Sequence, residues 1–196
     1  MKEKFTGPER SGVQRVEELL RPPRVVVLAV LFDWSLLVQL LTMPLLARWL
    51  RQPPALSLPW LSPALNTLLS LLSALPFALL LALCGEGMRR GLVWARHVQV
   101  ALNTLLALAG LAGVYTLWLD ARRGNYWPLV TLVTLVGLSP LIIWGLHQPA
   151  ARQWFNPPPE LALRIRQRRA SVPPSWSLLL ATLGLGLLEA LAGLLR

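Results

Sequence analysis

The sequence has few of the groups on which water-soluble folds depend. Only 14% of its residues are charged and 55% are hydrophobic, whereas about a quarter of an average soluble domain is charged. Such a chain has too little polar surface for a water-soluble globule, and its hydrophobicity excludes a disordered protein. Cys84 is the only cysteine, which excludes an intrachain disulfide framework and a zinc site built from several cysteines.

Acidic residues are also scarce, since nine Asp and Glu stand against nineteen Lys and Arg, for a formal net charge of +10. In a soluble protein this excess would suggest a nucleic-acid partner. Here the basic residues lie between long apolar runs, which is typical of topology signals and of contacts with anionic lipid headgroups. We therefore expect membrane lipids as partners, and no nucleic acid.

Catalytic motifs are missing as well. The chain has no HExxH, GxSxG or CxxC pattern and no paired carboxylates, which are signatures of hydrolases, metalloenzymes and redox proteins. The sequence therefore favours a protein that is not an enzyme, and it predicts neither a metal site nor a cofactor.

Long apolar runs dominate what is present. A helix needs about 20 mostly apolar residues to cross a bilayer, and five stretches meet this length: Val25–Ala47, Trp60–Cys84, Leu92–Leu119, Trp127–Leu146 and Ser177–Leu195. The sequence predicts an all-α integral membrane protein, a bundle of five transmembrane helices. The bundle has four if Ser177–Leu195, the shortest stretch, lies in the membrane interface instead.

The basic residues predict the orientation of this bundle. Fourteen of them fall before the first stretch, between the second and third, and between the fourth and fifth, and five fall on the opposite side. By the positive-inside rule, residues 1–24 form a cytoplasmic amino-terminal segment and residues 25–147 a four-helix core. Residues 148–176 form a basic cytoplasmic loop, and residues 177–196 the fifth helix, with the carboxyl terminus outside.

Polar residues within the apolar stretches are the candidate functional residues, because burying them in hydrocarbon costs free energy unless they are paired. We select Asp33, Asn66, Asn103 and Glu189. Asp33 has the depth of Arg96 and His97, so we expect an ion pair of Asp33 with one of them.

Small and polar residues on one side of a helix predict its protein-facing surface. The second stretch offers Ser62, Asn66, Ser70 and Ser73, and the third Gln99, Asn103, Ala107, Gly110 and Gly113. The fourth offers Thr134, Gly137, Leu141 and Gly145, and the fifth Thr182, Gly186, Glu189 and Gly193.

A six-residue segment occurs twice without change. Ala-Leu-Asn-Thr-Leu-Leu occupies residues 64–69 and again residues 101–106. The copies lie in adjacent stretches of opposite direction, so Asn66 and Asn103 could face a shared interior, as in a transporter with inverted repeats. In a chain this rich in leucine, we favour coincidence as the explanation of the repeat.

The basic loop offers a contact site for anionic lipids. Pro157, Pro158 and Pro159 can open a helix with Glu160 in its first turn, and Pro173 ends it. Its arginines are attracted to anionic headgroups by about 1 kcal/mol each near the surface. They are Arg164, Arg166, Arg168 and Arg169.

One segment resembles a known family. Val98-Gln-Val-Ala-Leu-Asn103 is similar to the glutamine–asparagine helix segment of the tryptophan-rich sensory (translocator) family, which also has five spans and many tryptophans. That family binds porphyrins and lipids, so the resemblance implies a lipophilic ligand. Thr104 and Leu105 follow Asn103 here, in place of the family's tryptophan, and we do not assign the chain to the family.

The sequence thus leaves three functions open. The first is an accessory or scaffold subunit that packs against other membrane proteins or against itself. The second is a binder or carrier of a small lipophile, porphyrin-like or lipid-like, and the third is a lipid-modifying enzyme using Asp33 or Glu189. Arginine outnumbers lysine seventeen to two, which suggests a GC-rich bacterial gene and hence the plasma membrane.

Overall fold

The computed structural model describes residue 17 and residues 19–52, 58–124 and 133–194, and this part of the chain is helical without strands. Its helices are Arg24–Trp49 (α1), Pro63–Arg90 (α2), Val93–Arg122 (α3), a π-helical segment Val133–Leu138 (π1), Ser139–Leu146 (α4), Pro149–Phe155 (α5), Pro159–Ser171 (α6) and Trp176–Leu194 (α7). The prediction of an all-helical fold is confirmed.

Three described helices are long and apolar enough to cross a membrane: α1, α2 and the Val93–Tyr115 part of α3. A fourth is added if α6 and Trp176–Leu191, which are bent by 64°, are taken as one span. The predicted fourth stretch, Trp127–Leu146, begins outside the described residues, and its apolar helical part, Val136–Leu146, is short. The count of five spans is therefore not confirmed.

Helix α1 lies at the centre of the bundle and packs against α2, α7 and α4. Glycines allow α7 to approach it closely. A Cβ added at Gly186 would lie 2.6 Å from Cβ of Val38, and one at Gly193 would lie 3.2 Å from Cε of Met43. The later residue of α7, Gly193, contacts the later residue of α1, Met43, so the two helices run parallel along their length.

Helices α2 and α3 are joined by a tight turn. Gly91 has φ 74°, a left-handed conformation that suits glycine. Its N–H donates to the carbonyl of Met88, and the N–H of Leu92 donates to that of Gly87, which is the Schellman pattern of a helix end. The turn makes α2 and α3 antiparallel, and Gly87 lies against Ala95.

The predicted protein-facing surfaces are buried or half-buried in α3 and α7, and partly exposed in the second and fourth stretches. In the second stretch Asn66 and Ser70 are buried, whereas Ser62 and Ser73 are exposed. In the fourth stretch Gly145 is buried, Gly137 and Leu141 are exposed, and the side chain of Thr134 lies outside the described part of the structure. Gly137 lies in the π-helical segment, where the α-helical period that the prediction assumed does not hold.

The hydrophobic core lies near one end of the bundle, where α1 begins and α2 ends; we call this the basic end. Core residues from α1, α2, α3 and α4 meet there with Trp154 and Phe155 of α5. Helix α6 begins at Pro159 and ends before Pro173, as the sequence predicts. The sequence did not predict α5, whose Trp154 donates from Nε1 to the carbonyl of Met88 at 3.1 Å.

Candidate functional site

Beyond the core, four helices contribute polar side chains that are fully buried. We call this group the polar layer. It consists of Asp33 from α1, Cys84 from α2, Gln99 and Asn103 from α3, and Ser139 from α4, each with 0% of its surface exposed. Burial of this many polar groups in an apolar bundle is costly unless they have hydrogen-bond partners.

Close helix contacts set the depth of this layer. Gly145 lies against Val25, and the Trp34 indole lies against Gly85. At a rise of about 1.5 Å per residue, Ser139 and Asp33 lie about 9 and 12 Å beyond the Gly145–Val25 contact. Cys84 precedes Gly85 and lies close enough to Asp33 for an electrostatic interaction. The four helices therefore present these side chains within about one helical turn of each other in depth.

Hydrogen bonds satisfy the layer only in part. Nε2 of Gln99 donates to Oδ1 of Asp33 at 2.8 Å, and Nδ2 of Asn103 donates to the backbone carbonyl of Gln99 at 2.9 Å. Four buried oxygens have no hydrogen-bond partner within the described part of the chain: Asp33 Oδ2, Gln99 Oε1, Asn103 Oδ1 and Ser139 Oγ. Each such group costs about 1 to 3 kcal/mol. Ser139 Oγ can donate as well as accept, but the other three oxygens are acceptors only while Asp33 is ionised, so the layer has fewer donors than acceptors.

The ion pair expected between Asp33 and Arg96 or His97 does not form, and that prediction was wrong. Gln99 lies three residues beyond Arg96, about 4.5 Å deeper in the bundle. Its amide, and not the guanidinium of Arg96, is hydrogen-bonded to the carboxylate of Asp33. His97 is exposed, and the buried Nε of Arg96 has no hydrogen-bond partner. No salt bridge of Asp33 occurs in the described residues.

Asn66 lies far from this layer, so it shares no interior with Asn103, and the inverted-repeat interpretation does not hold. Gly87 and Ala95 are in contact, so depth can be measured from them along each helix. Asn66 lies about 32 Å from Gly87 along α2, whereas Asn103 lies about 12 Å from Ala95 along α3. Asn66 binds the turn before α2 instead. Its Oδ1 accepts from the N–H of Leu58 at 2.8 Å, and its Nδ2 donates to the carbonyls of Leu58 and Leu61.

Glu189 is separate from the polar layer. It lies on α7 between Gly186 and Gly193, which contact the second half of α1, and its Oε2 is buried without a hydrogen-bond partner among the described residues. Arg196, seven residues further along the chain, lies outside the described residues.

Between the polar layer and the far end of the bundle, the helices enclose an apolar groove of about 740 Å³. Its walls come from α1, α2 and α3, and Gly193 and Leu194 of α7 close it at one side. Apolar residues such as Leu40, Met43, Phe77, Leu102 and Leu106 dominate the lining, and Gln39, Ser70 and Ser73 add polar groups. The volume lies in the range of known pockets for small ligands.

At the basic end, one of the four arginines predicted to contact lipid has a different role. Arg169 is only 4% exposed. It donates to the carbonyls of Trp154 at 2.7 Å and Leu19 at 2.6 Å, and its guanidinium stacks on the Trp154 ring. Burial, with a smaller contribution from Arg166, lowers the pKa of Arg169 to about 10, so it stays charged at neutral pH.

Arg169 thus joins α5, α6 and the segment before α1, and its prediction as a lipid contact was wrong. Arg164, Arg166 and Arg168 are exposed and are free of this constraint. The sequence could not separate these residues, because only the docking of α5 places Trp154 under one arginine.

The described residues contain no group of three or more His, Cys, Asp or Glu side chains that could hold a metal ion. His97 and His147 are both exposed. The polar layer instead offers oxygen atoms, from one carboxylate, two amides and a hydroxyl.

Sequence reasoning placed Gln99 on the protein-facing side but did not select Gln99, Cys84 or Ser139 as site residues. The position of Gln99 four residues before Asn103 was the available signal, since such pairs share a helix face.

Comparison with models of protein families, with curated proteins and with solved structures finds no match for this chain.

Proposed function

We propose that this protein is a plasma-membrane protein of five spans, with its amino terminus in the cytoplasm and its carboxyl terminus outside. The distribution of basic residues supports this orientation. The parallel course of α1 and α7 agrees with an odd number of crossings. Fusing a reporter to each terminus tests it, and reporters found in one compartment overturn it.

Within this membrane protein, we propose that the groove binds a small lipophilic ligand, lipid-like or porphyrin-like. The observation that carries the proposal is the 740 Å³ apolar volume bordered by three helices. A lipophile of this size would bury most of its surface there, with Gln39, Ser70 and Ser73 to orient it.

Retention of a ligand by the purified protein tests this function. The full chain is purified in mild detergent, and native mass spectrometry measures non-covalent additions to the monomer. Ala74 lines the groove, so Ala74→Trp fills it and removes the addition. Ala64→Trp is the matched control, since Ala64 is exposed on the same helix and the addition is retained. A wild-type monomer without any addition, which also fails to take up protoporphyrin or phospholipid, overturns the proposal.

An accessory subunit is the second candidate function. Gly137 and Gly184 are exposed, with nothing within 4 Å of a Cβ added at either position, and small residues on membrane helices allow close approach of another helix. Stable co-purification of a defined membrane protein, lost in Gly184→Leu and retained in Leu180→Ala, would support this role. No catalytic role is proposed.

The exposed arginines of α6 are proposed to contact anionic lipids at the cytoplasmic surface. They are Arg164, Arg166 and Arg168. Each contributes about 1 kcal/mol near a charged membrane.

A further inference from the structure

We propose that the polar layer binds one monovalent cation, with Asp33 Oδ2, Gln99 Oε1 and Asn103 Oδ1 as its ligands. We use sodium as the probe cation in the experiments that test this site.

The three oxygens are held in one region by the hydrogen bonds around them. Asp33 Oδ2 and Gln99 Oε1 are the second atoms of the carboxylate and amide that meet at 2.8 Å. Asn103 lies one turn further along α3, and its amide is bonded back to the carbonyl of Gln99. All three residues are fully buried, and none of the three oxygens has a partner within the part of the chain that the structure describes.

The chemistry of these atoms restricts the ligand. Carboxylate and amide oxygens are acceptors, so the missing partner must be a cation or a hydrogen-bond donor. A proton on Asp33 and the hydroxyl of Ser139 would together supply two donors for three acceptors, and at least one amide oxygen would stay unpaired. Hard cations bind several oxygens together, so a cation satisfies the whole set.

The charge of the layer selects a monovalent ion. Asp33 is its only carboxylate, and no salt bridge neutralises it among the described residues. One positive charge brings the site to neutrality, whereas a divalent ion would leave an uncompensated charge in a low-dielectric interior.

This site is independent of the proposed lipophile. None of the three ligand residues lines the groove, so the loss of one function leaves the other testable.

Thermal unfolding of the full chain in mild detergent tests the proposal. We expect the unfolding midpoint to be about 3 °C higher in sodium chloride than in choline chloride of equal ionic strength. Equilibrium dialysis with radioactive sodium should give one bound ion per chain. Both measurements use the unmodified protein, so they do not depend on the folding of any variant.

Variants then locate the ion. Asp33→Asn keeps the shape of the side chain but removes its charge, and we expect it to abolish both the midpoint shift and the bound sodium. Glu189→Gln is the matched control, because it removes another carboxylate of the apolar helices, and it should keep both.

Three results would overturn the proposal. The first is an equal midpoint of the unmodified protein in the two salts, and the second is a sodium response retained by Asp33→Asn. The third is a stability that falls with rising pH equally in both salts without a sodium effect, which would assign a proton to Asp33.

Discussion

The two copies of Ala-Leu-Asn-Thr-Leu-Leu have the same sequence and different roles. In the first copy Asn66 lies near the start of α2, and its side chain makes three hydrogen bonds with the turn at Leu58 and Leu61. In the second copy Asn103 lies inside α3, and its Oδ1 has no hydrogen-bond partner among the described residues. Thr67 is buried, whereas the equivalent Thr104 is exposed.

The difference follows from where each copy lies within its helix. A turn before a helix has free backbone groups, and an asparagine side chain can satisfy them. Inside a helix the backbone is already paired, so the spare oxygen of Asn103 must find its donor elsewhere. One residue type therefore stabilises the chain in one place and creates a potential binding atom in the other.

The largest expected effect comes from replacing the two asparagines separately. Asn66→Leu removes three hydrogen bonds and should lower the free energy of unfolding by about 3 kcal/mol. Asn103→Leu removes an unsatisfied oxygen and should cost less than about 1 kcal/mol in sodium-free buffer. Denaturant unfolding in mild detergent measures both values.

Equal losses in the two asparagine variants would contradict this comparison, because they would show that position does not decide the role. Asn66→Asp serves as the control, since it keeps one oxygen for the N–H of Leu58 and should have an intermediate effect.

The first leucine of each copy provides the next comparison. Leu102 lines the groove, whereas the equivalent Leu65 is 50% exposed. Leu102→Trp should therefore weaken retention of a groove ligand at least about tenfold, which corresponds to 1.4 kcal/mol, and Leu65→Trp should leave it unchanged. Native mass spectrometry of the two variants measures the retained fraction, and equal retention by both would argue against the groove as the binding site.

The threonines provide the smallest expected difference. Thr67 Oγ1 donates to the carbonyl of Pro63 at 2.9 Å, and Thr104 Oγ1 donates to that of Val100 at 2.8 Å. Only Thr67 is buried against the protein, so Thr67→Val should cost about 1 kcal/mol and Thr104→Val less than about 0.5 kcal/mol. Unfolding curves in the same detergent check this order, and a larger loss for Thr104→Val would reverse it.

Much of the fold was predictable because bilayer-length apolar runs have one stable conformation, the helix. The bounds of α6 followed from Pro159 and Pro173, and the protein-facing side of α7 followed from its glycines. The π-helical segment before α4 was not predictable, since its residues have the same composition as their α-helical neighbours. Helix α5 was not predictable either, because it has only seven residues and its packing of Trp154 and Phe155 against the core is not visible in the local sequence.

The sequence predicted individual residues of the candidate site but not which of them contact each other. Asp33 and Asn103 were selected because polar groups in apolar helices need partners, but the partner of Asp33 was assigned to the wrong turn of α3. Arg96 and Gln99 share one face of that helix, and no sequence rule decides which of them reaches the depth of Asp33.

By itself the sequence determined that the chain is helical, that its helices suit a membrane, and that a few polar residues are buried among leucines. These features depend on local composition, which acts through the cost of exposing backbone and apolar groups. Only the tertiary structure decided that Asp33 meets Gln99, that Asn66 binds a turn, and that Arg169 is buried on Trp154. Such pairings depend on the depth and rotation at which helices dock, and these are set by contacts between residues far apart in the chain.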